Sequence, residues 1–279
     1  MKSNYHFISG LPRAGSTLLA ALLRQNPRFH AEMSSPVGAL YSSLLSTMSP
    51  GNESFVHIND AQRKDILLGV FHNYYQSLTD KPVIFDSNRL WCSKLPALTQ
   101  LFPDAKVVCC VRNVAWIMDS FENAFQRNPL QNSLMFNNES EANTLNSRID
   151  TLAKWDRVVG YAFSALKEAF YGHYASQLLL VDYDLLVTSP EKTLNLVYQF
   201  LDEESFQHDF DNVSYSAQRF DENLGLPGLH SVQGPIKPRV RRSLLPPDLF
   251  EQYSAMNFWR DTSASAANVI SVSEKVNQK

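Results

Sequence analysis

Apolar residues in this chain fall into two patterns: short continuous runs, and longer stretches in which they recur every three or four positions. The runs are read as buried strands and the periodic stretches as helices packed on them. Residues 5–9 (YHFIS) form the first run. STLLAALLRQ at 16–25 has helical spacing and stops at Asn26-Pro27, where proline ends a helix. A second strand is predicted at 82–85 and a helix at 94–101. Phe102-Pro103-Asp104 then turns into KVVCCV at 106–111, a run rich in β-branched residues and the best strand in the chain, and a helix follows over 114–125. Ile149, Leu152, Trp155, Val159, Phe163, Leu166 and Phe170 lie three or four apart, which predicts one face of a single long helix. QLLLV at 177–181 is a further strand, 190–201 a helix, and 248–254 a short one.

Buried strands alternating with helices predict an α/β fold: one domain with a central parallel sheet, helices on both faces, and a P-loop-like nucleotide-binding core. Residues 128–146 are crowded with Asn, Ser and Glu and are read as a long exposed loop, either a lid or a solvated insertion. The chain is expected to be loop-rich from 202 to Arg242. The Ser/Ala-rich stretch after Arg260 is expected to fray, so the domain is placed at 1–260 with a flexible tail at 261–279.

Composition narrows the choice of partner. Of 279 residues, 44% are hydrophobic and 19% charged, enough for one large core. A net charge of −3 gives no support to general nucleic-acid binding, so any anion site must be local. No signal peptide and no membrane-spanning run are read, since a span needs about 18–20 apolar residues. Cys92, Cys109 and Cys110 are the three cysteines. The adjacent pair sits inside a strand and points to opposite faces, which predicts buried thiols and a cytoplasmic setting. No Cys/His spacing suggests a metal.

The densest chemistry is Gly10-Leu11-Pro12-Arg13-Ala14-Gly15-Ser16-Thr17, between a predicted strand and a helix. It approaches the Walker A pattern GxxxxGK[ST], in which glycines admit a phosphate and the helix start aims N–H groups at it. Ser16 stands where the Walker lysine belongs, and the cation is instead Arg13. A site clamping a β/γ-phosphate with Mg²⁺ wants that lysine. One that holds a single 5′-phosphate bearing a sulfuryl group can manage without it, with Arg13 stabilising the leaving phosphate. The alternative is a turn that only caps a helix.

FISGLPRAGSTLLAALLRQNP resembles the 5′-phosphosulfate loop of sulfotransferases that use 3′-phosphoadenosine 5′-phosphosulfate (PAPS), notably the PRSGTT form of tyrosylprotein and bacterial members. KVVCCVRNVAWIMDSF is similar to the family's strand-closing Arg followed by a Ser eight residues on; it implies that Arg112 and Ser120 bind the 3′-phosphate. VDYDLLVTSPEKTLNLVYQFL resembles a third family segment and implies Tyr183 as an adenine-side contact. His230-Ser-Val-Gln-Gly-Pro-Ile-Lys237-Pro-Arg239-Val-Arg241-Arg242 is similar to the family's late basic loop, with Lys237, Arg239, Arg241 and Arg242 as candidates for the 3′-phosphate. The resemblance spans residues 5–260. It implies PAPS as donor, adenosine 3′,5′-bisphosphate as product, a hydroxyl-bearing acceptor, in-line displacement without a metal, and a donor loop of Pro12, Arg13, Ala14, Gly15, Ser16, Thr17 and Leu18.

The family takes its base from a Glu shortly after the first helix, or, in cytosolic small-molecule members, from a His. Glu32 is the nearest carboxylate here, two residues before the family position, where Ser34 stands. Asp86 is the second candidate, and His57 and His30 follow. Arg89 is a candidate for the cation beside the sulfuryl group, and His6 is read as structural. A P-loop kinase and a non-catalytic nucleotide-binding module are the competing readings. A phenol, alkyl alcohol, sugar or peptidyl tyrosine would all serve as acceptor.

Overall fold

A computed structural model describes residues 3–127, 130, 133–238 and 242–271. β1 (Asn4–Gly10) runs into the glycine loop and α1 (Ser16–Leu23). β2 (Phe29–Ala31), α2 (Val37–Thr47) and α3 (Asp60–Tyr75) follow, three elements that the apolar pattern does not announce. β3 (Val83–Ser87) leads through α4 (Leu90–Ser93) and α5 (Leu95–Leu101) to β4 (Val107–Val111) and α6 (Val114–Gln126). α7 (Glu139–Ala142), α8 (Leu145–Ala153) and α9 (Val158–Tyr171) precede β5 (Leu178–Asp182), α10 (Tyr183–Thr188) and α11 (Pro190–Leu201). β6 (Val213–Ser216), α12 (Gln218–Asn223), β7 (Ser231–Gly234), α13 (Pro247–Ser254) and β8 (Asn268–Ile270) follow among the described residues.

Six strands form one parallel sheet in the order β2-β3-β1-β4-β5-β8. Every residue of β3, β4 and β5, and all but Asn4 of β1, is buried, so both faces of the sheet are covered. That is why these strands read as continuous apolar runs. Tyr5, Phe7, Tyr41, Phe71, Trp91 and Phe102 interlock on one side, with ring centroids 4.9–6.5 Å apart. The chain starts at the centre, fills one side with β2 and β3, then crosses to β4, β5 and β8. The order therefore reverses between β1 and β4, and such a switch opens a crevice at the carboxyl ends of the strands.

Several expectations change. The predicted long helix over 149–170 is two helices, broken where Lys154 turns extended (φ −58°, ψ 146°). Gly160 then packs so close to the carbonyls of Ala153 and Lys154 that a Cβ would lie 2.2–2.3 Å from their oxygens. Trp155, which fits the apolar period, is 79% exposed at the break. The polar segment at 128–146 is no bare loop: Phe136 packs on Phe125 at 4.9 Å, and Asn138 caps α7. The stretch expected to be loop up to Arg242 contains the antiparallel pair β6–β7 with α12 between them. The tail expected to fray supplies β8, whose Val269 pairs with Leu180 because the free edge of β5 offers a ladder to fill. Cys109 and Cys110 are buried and free, as the strand geometry predicts, and so is Cys92 on α4. Among the described residues no helix is long and apolar enough to cross a membrane.

Candidate active site

The crevice at the switch point is a cavity of about 810 Å³, reached by the carboxyl ends of four strands. Ile8, Ser9 and Gly10 enter from β1, Ser87 from the end of β3 with Asn88 and Arg89 just beyond it, Arg112 from just beyond β4, and Tyr183 and Asp184 from the start of α10, which follows β5. Gly10 must be glycine. Its φ is +101°, and a Cβ would sit 2.3 Å from the Cys110 carbonyl oxygen on the neighbouring strand. Gly15 (φ +95°) caps α1 and lies against Tyr183, where a Cβ would come within 2.8 Å of the ring. Between them Arg13 holds a left-handed φ of +57°, a conformation that costs a non-glycine residue energy. The loop thus wraps into a concave backbone that ends on the first free N–H groups of α1, a ready cradle for an anion.

Arg13 is the hub. Its Nε donates to Ser120 Oγ on α6 at 3.1 Å, and its Nη1 donates to the Leu229 carbonyl. Arg112 Nη1 donates to the Arg13 carbonyl at 3.4 Å, while the Arg112 guanidinium stacks 4.3 Å over the Tyr183 ring. Burial, with Arg112 next, lowers the Arg13 pKa to about 10, so it stays charged at neutral pH. Arg13, Arg112, Ser120 and Tyr183, distant in sequence, therefore meet at one point. Pro12, Gly15, Ser16, Thr17 and Leu18 line the same cavity, whereas the Ala14 side chain is fully buried in the core. Lys237 reaches the cavity and Arg242 does not line it; Arg239 and Arg241 lie outside the described residues. Arg89 and Arg127 bring the cations lining the cavity to five among the described residues, against one carboxylate, Asp184. Arg127 had no signal in the sequence, because it caps a helix whose periodicity says nothing of the helix end. Arg89 also opens onto a second cavity of about 430 Å³, lined by Gly38, Ser42, Leu90, Arg157 and Tyr161 among others.

Neither carboxylate proposed as a base lines the cavity. Glu32 is tied to Arg24 at 3.0 Å and accepts from the Tyr215 hydroxyl at 2.7 Å, so it fastens β2 to β6. Asp86 is wholly buried and accepts from Ser35 Oγ (2.6 Å), the Tyr75 hydroxyl (2.7 Å) and Trp91 Nε1 (2.7 Å). Burial raises its pKa despite these three bonds. Its lone pairs already hold Ser35, just ahead of α2, and the helices α3 and α4 to β3. His30 packs edge-on to Tyr75, His57 lies on an exposed turn, and neither lines the cavity. His6 is buried within β1, where its Nδ1 accepts from the Lys106 amide at 3.1 Å.

One imidazole does line the cavity. His230, the first residue of the late basic loop, places Nδ1 2.6 Å from Asp221 Oδ1, and its backbone N–H donates to Asp221 Oδ2 at 2.8 Å. Asp221 is 1% exposed. Nothing short-range in the sequence points to this pair: the two residues are nine apart, on α12 and at the edge of β7. Segment 220–238 supplies the outer wall of the cavity, through Phe220, Leu226 and Gly228 to Pro238. Asp119, beside Ser120, accepts from the Leu244 amide at 2.7 Å and from Ser243 Oγ at 3.2 Å, anchoring the chain just beyond the basic stretch.

With this geometry in place, residues 6–208 match a family model, that of the sulfotransferase family. The chain belongs to the sulfotransferase family. A sulfotransferase from Alicyclobacillus acidocaldarius superposes with a TM-score of 0.51 at 14% identity, over 91% of both chains. The sulfotransferase domain of the Synechococcus PCC 7002 olefin synthase gives a TM-score of 0.48 at 17% identity, over 91% of this chain and 94% of that one. At 14% identity the likeness to the Alicyclobacillus acidocaldarius protein speaks for the fold alone. No curated protein matches the chain significantly.

Proposed function

We propose that this sulfotransferase takes its sulfuryl group from PAPS and passes it to an acceptor hydroxyl. The observation that carries the reading is the meeting of Arg13, Arg112 and Ser120 above a glycine loop with serine in the Walker lysine position. When bound, PAPS supplies a sulfuryl group on a good phosphate leaving group. Residues 12–18 hold the 5′-phosphosulfate, those after Pro12 through backbone N–H groups and Ser16 and Thr17 also through their hydroxyls. Arg112, Ser120 and Lys237 hold the 3′-phosphate, which carries about −1.5 to −2 charge; Arg239 and Arg241 continue that basic stretch. Tyr183 props Arg112 from below and borders the adenine side. Arg13 stabilises negative charge as it develops on the departing phosphate. Arg89, open to both cavities, faces the sulfuryl group from the acceptor side, and the smaller cavity admits the acceptor. In this reading Glu32 and Asp86 brace the scaffold.

Calorimetric titration with adenosine 3′,5′-bisphosphate, and separately with ATP and Mg²⁺, tests the donor. Metal-independent binding of the bisphosphate, with ATP much weaker, is the expected result. Preference for ATP with Mg²⁺ would overturn it in favour of a kinase.

A further inference from the structure

We propose that His230 is the general base of this site and that Asp221 is its positioning residue; the proposal rests on the sulfuryl-transfer reading above. Three observations converge. His230 lines the cavity that holds the phosphate loop, whereas Glu32, Asp86, His30 and His57 do not. Its Nδ1 is committed to a buried carboxylate at 2.6 Å, which fixes the ring plane and puts the proton of the neutral form on Nδ1. The neighbouring Leu229 carbonyl accepts from Arg13, so the imidazole is fastened to the cation assigned to the leaving group.

The charged groups facing His230 are Asp221 from α12, Arg13 from the phosphate loop and Arg89 from the end of β3. Burial lowers the pKa of His230, the hydrogen bond to Asp221 opposes that, and Arg13 and Arg89 add to the lowering. The ring is therefore neutral at pH 7 with the Nε2 lone pair available. In the transfer, the acceptor oxygen forms a bond to sulfur as the bond from sulfur to the 5′-phosphate oxygen breaks. The electron pair of that bond leaves with adenosine 3′,5′-bisphosphate. The acceptor proton passes to Nε2, giving an imidazolium that Asp221 stabilises and that later releases its proton to water.

A purely structural pair would hold α12 to β7 and leave the chemistry alone, so the test separates the two roles. The parent, His230→Gln and Asp221→Asn are first titrated with adenosine 3′,5′-bisphosphate; affinities within about threefold of one another show an intact donor site. Sulfate release from radiolabelled PAPS, with water as acceptor, then needs no identified acceptor. His230→Gln is expected to lower kcat by about 10²–10⁴-fold with KM for PAPS unchanged. Asp221→Asn is expected to lower kcat by presenting the wrong tautomer. The loss in His230→Gln should shrink when the acceptor is 4-nitrophenol at mildly alkaline pH, since that phenol is already largely ionised. The acid limb of the parent's pH profile should lie below the ordinary histidine value and vanish in His230→Gln. Long-range ¹H–¹⁵N spectra should show His230 neutral at pH 7 with its proton on Nδ1. Parental sulfate release by a His230→Gln protein that still binds the bisphosphate would overturn the proposal, as would a protonated ring at pH 7. A parent that binds no bisphosphate fails one step earlier, and the donor reading falls together with the base that rests on it.

Discussion

Replacing Arg148 with Met removes one interaction whose worth can be worked from its surroundings. Glu122 lies on α6 two residues beyond Ser120 and is completely buried. Arg148 Nε donates to its Oε2 at 2.8 Å and Nη2 to its Oε1 at 2.5 Å, a bidentate fork from α8. Gln126 adds a third donor at 2.8 Å, and Arg148 Nη1 also caps the Ala142 carbonyl at 2.7 Å. Met keeps most of the aliphatic volume but leaves a dry carboxylate with one amide partner. Breaking a buried pair from one side costs about 3–5 kcal/mol. For a domain somewhat larger than 200 residues each kcal/mol moves Tm by about 2–4 °C, so a fall of roughly 6–20 °C is expected by differential scanning fluorimetry. The Glu122→Gln/Arg148→Met pair, which removes the charge as well, should regain at least about half of that loss. The Arg24–Glu32 bridge makes the comparison: with side chains 56% and 40% exposed, it contributes about 0–1 kcal/mol. A fall below about 3 °C for Arg148→Met, or no recovery in the double variant, would refute the claim that this pair clamps α6 to α8.

Arg112→Ala should weaken adenosine 3′,5′-bisphosphate by about 10–100-fold in calorimetry, the worth of a charge-assisted hydrogen bond; unchanged affinity would remove Arg112 from the site. Stability should fall on mild acidification, because burial holds the pKa of His6 and of His208 down at about 4. Below 6.5 the unfolded imidazoles take up protons that the folded ones refuse until about pH 4, so acid favours unfolding across that window. The slope is up to about 1.4 kcal/mol per pH unit for each histidine, and a flat urea midpoint between pH 7 and 4.5 would contradict it.

Local pattern carried the four central strands β1, β3, β4 and β5 because burial on both faces of a parallel sheet leaves continuous apolar runs, as in Val107–Val111 and Leu178–Asp182, and with them helices α1, α5, α6, α11 and α13. It also carried the glycine loop: Gly10 and Gly15 need positive φ, and that demand is written in the residue type itself. Period alone missed the break at Lys154, since Trp155 continues the apolar rhythm while the chain turns away. It missed β8 because three residues pair only if β5 has a free edge to offer.

The choice of base was beyond local reading for a different reason. Glu32, Asp86 and His230 are all proton acceptors by type. Their roles diverge only when Tyr215, Ser35, Tyr75 and Trp91 occupy the first two, and Asp221 holds the third beside Arg13. By itself the sequence determined the four central strands and the glycine loop between β1 and α1, because each depends on neighbours within a few residues. Only the tertiary structure decided which side chains share the cavity. Leu229 meets Arg13 across 216 positions, and the exposure and hydrogen bonding of an acid or base are set by such contacts rather than by its place in the chain.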